Sequence, residues 1–171
     1  MKPIRLVLSV VLMSLATVAF AKSDAQQTFD TMKSLAGSWE AHVTTLPQQA
    51  EIEGKLMKVS LRVTSMGNAL MHEMTGAGRP DDPITMFYLD ADRLVLTHYC
   101  DAGNRPRMVG KASPDGKTVD FEFLDVAGSM QYGHMHHAVF TVIDANHHIE
   151  DWTYMEGDKH VQAHFDLQRT K

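Results

Sequence analysis

The chain has 171 residues, 44% of them hydrophobic, a formal net charge of −5 and one cysteine. That length suits a single domain with a core of its own. The acidic balance, with no basic cluster to offset it, argues against nucleic acid or anionic lipid as partners, and Cys100 alone cannot close an internal disulfide.

Met1 to Arg5 carries two cations, Lys2 and Arg5, and is followed by a mostly apolar run from Leu6 to Phe20. Ala19-Phe20-Ala21 then supplies the small-x-small pattern of a signal-peptidase site. The run is short for a bilayer-spanning helix of ~20 residues, and no cysteine near the cut offers a lipid anchor. Residues 1–21 therefore read as a signal peptide and residues 22–171 as one mature domain, periplasmic or secreted, with no stable membrane anchor. Losing Lys2 and Arg5 takes the net charge from −5 to about −7.

After a short polar lead, Asp30 to Ala36 reads as one or two helical turns with Phe29, Met32 and Leu35 on one side. Beyond it the pattern is that of strands. Met57, Val59, Leu61 and Val63 alternate with Lys58, Ser60, Arg62 and Thr64, a half-buried strand with one wet face. Leu94, Leu96, His98 and Cys100 oppose Arg93, Val95, Thr97 and Tyr99; Val119, Phe121 and Phe123 oppose Asp120 and Glu122; Val161, Ala163, Phe165 and Leu167 oppose Gln162, His164 and Asp166. Turn residues punctuate these runs at Asp90-Ala91-Asp92, Asp101-Ala102-Gly103-Asn104, Pro114-Asp115-Gly116, Asp144-Ala145-Asn146 and Glu156-Gly157-Asp158. The expectation is an all-β fold: a single antiparallel up-and-down meander of about ten strands, preceded by a short helix. Closure into a barrel buries its apolar face and removes its edges.

Gly37-Ser38-Trp39, at the start of the first strand and just after a helix, resembles the entrance motif of lipocalins and calycins. In that superfamily a basic residue at the end of the last strand packs across the tryptophan, and Arg169 stands at the matching place. The resemblance thus implies a structural closure made by Gly37, Trp39 and Arg169. The strand count and terminal arginine also resemble nitrobindin-like ten-stranded barrels, which hold haem, although no single histidine here answers to their haem ligand. Leu96-Thr97-His98-Tyr99-Cys100, Gly103-Asn104-Arg105-Pro106-Arg107-Met108 and Gly133-His134-Met135-His136 resemble an uncharacterised family of exported bacterial proteins.

Histidine is the unusual feature of the composition, with ten residues. Side chains two apart share a strand face, which turns His72 inward with Leu70 and Met74 and His98 inward with Leu94 and Leu96. The same parity puts His134 and His136 with Ala138, Phe140 and Val142. His160 and His164 fall on the wet face, and His147-His148 in or beside a turn. Four readings of the inward group stay open. The imidazoles are hydrogen-bonded interior groups. His98, His134 and His136 hold a transition metal, His-x-His being a real ligand spacing. One of these inward histidines, or His160 or His164, ligates haem. Or a histidine pair does acid–base work on a bound molecule. Met130 and Met135, beside His134 and His136, add soft thioethers suited to copper, or flexible core filler.

Cys100 reads either as a small strand hydrophobe or as a thiol near His98. Hydrolase and nucleotide signatures are absent from the sequence: no Gly-x-Ser-x-Gly, no His-Glu-x-x-His and no Gly-rich phosphate loop. The expected function is an exported small-molecule-binding barrel. Its apolar, histidine-containing interior is lined by His72, Leu94, Leu96, His98, Cys100, Phe121, Phe123, His134 and His136. The alternative is a His-ligated metal or haem barrel, and less so an enzyme. Intact-mass analysis of exported protein is expected to show a chain beginning at Lys22; a mature chain that keeps residues 6–20 would overturn the localisation.

Overall fold

The computed structural model describes residues 22–76, 78 and 82–170; the expected signal peptide, residues 1–21, lies outside the described residues. The first element is a helix, α1 (Asp24–Ser34). It begins earlier than the sequence reading placed it, because Ser23 is its N-cap and accepts the Gln26 N–H at 3.2 Å. Asp24 in its first turn and Lys33 in its last complement the helix dipole. Phe29 and Met32 on its buried side, with Leu35 just beyond, join the main core.

Ten strands follow: β1 (Gly37–Leu46), β2 (Leu56–Thr64), β3 (Ala69–Gly76), β4 (Ile84–Asp90), β5 (Arg93–Tyr99), β6 (Asn104–Ala112), β7 (Thr118–Gly128), β8 (His134–Asp144), β9 (His147–Glu156) and β10 (Lys159–Arg169). Each pairs antiparallel with the next, and β10 returns to pair with β1, so the sheet is a closed barrel. This is the expected meander. The segment Arg105-Pro106-Arg107 lies within β6, where Arg107 pairs with Asp125 of β7.

Alternation decides which side chains enter. Met57, Val59 and Leu61 are buried as expected, but Val63, at the rim, is 39% exposed. Leu70, Phe87, Leu94, Leu96, Met108, Phe121 and Phe140 fill one half of the barrel with no solvent exposure. Phe87, Phe121 and Phe140 meet edge to face at centroid separations of 5.4–5.8 Å. Gly110 makes room for this cluster: a Cβ there would lie 2.6 Å from the Phe121 ring.

The helix crosses the filled end. It touches β4, β5 and β6, and its last turn reaches Arg169 of β10, whose guanidinium donates to the Ala36 carbonyl at 2.8 Å. Gly37 turns the chain from helix into β1 with φ 148°, a conformation open to glycine. Two residues on, Trp39 is 1% exposed, donates its indole N–H to the Leu35 carbonyl at 2.9 Å, and lies opposite Arg169 in the β1–β10 register. The Arg169 guanidinium carbon lies 3.9 Å from the Trp39 ring centroid, a cation–π contact. A second donation, from Arg169 Nε to the Ala145 carbonyl at 2.7 Å, ties in the β8–β9 turn.

Trp39→Ala is expected to cost about 3–5 kcal/mol, as truncation of a core aromatic does. Arg169→Ala should cost less, and the two changes should be non-additive in a denaturation double-mutant cycle. Strict additivity would contradict the contact.

Candidate functional site

The half of the barrel away from the helix is not filled. It holds a cavity of about 110 Å³ lined by Val43, Ile52, Met57, His72, Met74, Pro83, Thr85, His98, Met135, Trp152, Ala163 and Phe165. Ile52, Pro83, His98, Met135, Trp152 and Ala163 also line an outer vestibule of about 940 Å³ at the mouth. The two chambers therefore share a neck.

Polar groups on the inner wall follow from strand register. His72 of β3 pairs with Thr85 of β4, and Thr85 pairs with His98 of β5. All three are at most 5% exposed. Thr85 Oγ1 and His98 Nδ1 are 2.8 Å apart, which orients that imidazole.

His72 is oriented from across the lumen. Its Nε2 lies 3.0 Å from Glu150 Oε2 on β9. Glu150 is fully buried and also meets His148 Nε2 at 3.0 Å and accepts the Trp152 indole N–H at 3.0 Å. Burial by itself would push this carboxyl's pKa up; the electrostatic pull of His72, the hydrogen bonds from His148 and His72, and the pull of His148 outweigh it. They hold Glu150 well below the usual carboxylate range. The outer ring nitrogens, His72 Nδ1 and His148 Nδ1, are buried without a hydrogen-bond partner. His148 in turn stands edge-on to Trp39 at 4.2 Å between centroids.

His148, Glu150 and Trp152 were missed in the sequence, where His147-His148 read as turn. They share one face of β9, and their signal was a period-2 row broken by polar side chains. Such a row looks like a wet face unless its partners are known.

The expectation that His98, His134 and His136 converge is corrected. The β8 register shifts against β9 between Met135 and His137, a β-bulge. Met135 takes the place on the cavity wall, and its neighbours His134 and His136 turn away from it. Those two imidazoles meet each other at 3.2 Å and pack on Phe123, which stacks on His136 at 4.5 Å. Phe123 is thus half-buried beside them, away from the Phe121 cluster. Burial, and then the neighbouring His136, push the His134 pKa down.

The other expected lining residues divide. Leu94, Leu96 and Phe121 fill the closed half rather than line the cavity. Cys100 lies just past the end of β5, at the vestibule, with Sγ 3.6 Å from an Asp101 carboxylate oxygen. An acidic neighbour does not activate a thiol. On the outer face, ligand atoms of Asp120, Glu122 and His137 lie within 4.8 Å of one another, an arrangement exposed acidic groups adopt without a metal.

The inner cavity by itself is too small for haem. His160 is exposed, and His164 pairs with Asp151 on the outer face. His134 and His136 face away from the cavity, and His72 is held by Glu150. The inner cavity, about 110 Å³, falls short of the ~300 Å³ at which pockets for drug-sized ligands begin.

The barrel has a counterpart among solved structures. The chain is similar to Rv2717c from M. tuberculosis, with a TM-score of 0.59 and 14% identity, over 84% of this chain and 98% of that one. At that identity the likeness shows the fold alone. No protein-family model and no curated protein matches the chain.

Glu150→Gln is expected to cost about 3–5 kcal/mol, since it takes the charge from a buried, hydrogen-bonded group and turns an amide N–H toward N–H donors. The pH dependence has a definite sign. The folded pKa lies below the unfolded value near 4.5, so this carboxylate's contribution is present above pH 4.5 and is lost as pH falls toward the folded value. Thermal unfolding from pH 7 to 3 should show a smaller acid-side loss in Glu150→Gln than in the parent chain. Parallel curves would mean that Glu150 is not held ionised.

Proposed function

We propose that this is an exported barrel that binds a small, largely apolar molecule in its inner cavity and vestibule. The observation that carries the reading is the cavity itself, an unfilled space inside the barrel that shares lining residues with the vestibule at its mouth. Its walls are the side chains of Val43, Met57, Met74, Met135, Trp152 and Phe165, with the imidazoles of His72 and His98 as polar anchors. That mixture of apolar wall and few oriented polar groups is the usual make-up of a ligand pocket. An apolar cavity of ~150 Å³ accommodates a benzene ring. At about 110 Å³ the inner cavity is somewhat smaller, so it suits a short-chain group or part of a ring, with the remainder of the ligand lying in the vestibule. Export is supported by residues 1–21, whose charged start, apolar run and Ala19-Phe20-Ala21 match a cleavable signal.

A binding role is favoured over catalysis by the arrangement around Glu150. Both carboxylate oxygens are occupied by N–H groups of the protein itself, which leaves the carboxylate to position His72 rather than to take a substrate proton.

Native mass spectrometry of the mature chain, isolated from the envelope of its own host, should show a small-molecule adduct. Ala163→Phe, which fills the neck from β10, should remove that adduct and weaken uptake of small aromatics such as benzene or indole by about tenfold or more. Equal uptake by the parent and by Ala163→Phe would overturn the assignment of the cavity.

A further inference from the structure

We propose that His134 and His136 form an acid-released latch. At neutral pH their mutual hydrogen bond and their packing on Phe123 hold the start of β8 against β7, and with it Met135 at the neck of the pocket. When both imidazoles carry a proton, the latch lets go. The latch itself stands on the geometry of the seam; only its effect on a guest rests on the binding role proposed above.

The need for a latch comes from the sheet. The β7–β8 register runs from Thr118↔Thr141 and ends at Glu122↔His137, yet β7 continues to Gly128 and β8 begins at His134. Past that point, among the described residues, β7 pairs with β6 alone, as far as Asn104↔Gly128. Likewise β8 pairs there with β9 alone, from His134↔Met155. The mouth end of the seam thus has side chains in place of a ladder. Phe123 of β7 supplies one face, with His136 stacked on it at 4.5 Å between centroids and His134 tilted against it at 5.1 Å. His134 Nε2 and His136 Nδ1 close the group at 3.2 Å. Met135, between the two histidines, lines both the inner cavity and the vestibule. Whatever holds its neighbours therefore also fixes the neck.

The bond between the rings sets the response to acid. It needs an N–H on one nitrogen and a lone pair on the other. One added proton per pair is compatible with it; a second turns N–H toward N–H and sets two like charges side by side. Burial, and then His136, push the His134 pKa below its ordinary value of 6.5, the direction that opposes a second charge. The folded chain thus holds that proton less tightly than the released one. The latch's contribution is present above pH 6.5 and is lost as pH falls through the folded value.

Neighbouring charges do not offset this. Among the described residues no carboxylate forms an ion pair with either imidazole. On β7, Asp125 is held by Arg107 of β6, and Glu122 lies 3.9 Å from His137. Arg105 of β6 stands opposite Ala127, and on β9 Tyr154 stands opposite Met135, with Glu156 ending the strand. Other outer histidines respond in the opposite sense. His137 with Asp120, His147 with Asp166 and His164 with Asp151 gain a charge-assisted hydrogen bond on protonation. Loosening in mild acid is therefore particular to the seam.

Amide hydrogen exchange of the mature chain should be followed from pH 7 to 5 and corrected for the intrinsic rate. We expect protection at residues 123–128 and 134–136 to fall by about fivefold or more, with residues 118–122 and 137–142 unchanged. His136→Gln keeps a hydrogen-bonding side chain that cannot take the charge, and it should flatten the response. His134→Gln should do the same, so that if one glutamine variant loses its far-UV spectrum the other decides. His137→Gln should respond as the parent does. Indole bound at pH 7 should leave the parent faster at pH 5, and leave His136→Gln at an unchanged rate. Protection that does not fall, a fall that survives in the glutamine variants at 134 and 136, or one lost in His137→Gln would overturn the latch. A chain that takes up no indole even at pH 7 would remove the pocket reading instead, and the exchange result would still decide the latch.

Discussion

The interior is organised around one charge. Glu150 projects from β9 into the lumen and is satisfied by N–H groups from two sides, His148 and Trp152 on its own strand and His72 on β3. An ionised carboxylate in so dry a place survives only when donors compensate its burial, and three N–H groups reach Glu150. The Glu150–His72 bond joins residues 78 apart in sequence, on strands that are not neighbours in the barrel. It acts as a strut across the lumen. On one side of it lie the phenylalanine cluster and the helix; on the other lies the cavity.

The strut also joins two other features. Arg169 covers Trp39, Trp39 meets the edge of His148, and His148 reaches Glu150, which orients His72 on the cavity wall. The closure at the helix end and the polar anchor of the pocket are thus consecutive members of one chain of contacts. Strain or substitution at Trp39 therefore reaches His72 through two side chains, although neither the tryptophan nor the arginine lines the cavity.

Much of the barrel was legible because its signals are local. Strict alternation in β2 and β10 and the turn residues after β4, β6, β8 and β9 each follow from a few adjacent positions. The site was less legible because its signals are not. Glu150 is inward only because His72 awaits it from another strand, and nothing in His148-Ile149-Glu150-Asp151-Trp152 announces a partner so far away. The error at His134 and His136 has a different origin. A bulge inserts one residue and reverses which neighbours face the core, and parity counted from Phe140 back to His134 runs through it unaware. His72 and His98 were placed on the correct face because no bulge interrupts β3 or β5.

The seam between β1 and β10 has a consequence in time. Arg169 ends the last strand of the barrel, yet its partners are the Trp39 ring and the Ala36 carbonyl, the latter 133 positions earlier. Such long-range pairing comes late, because the loop it closes spans nearly the whole domain. While the chain is being made it has an open sheet edge and an uncovered indole, and no early segment can complete the fold by itself. Closure of the barrel awaits β10, so the sheet stays open until its last strand is in place.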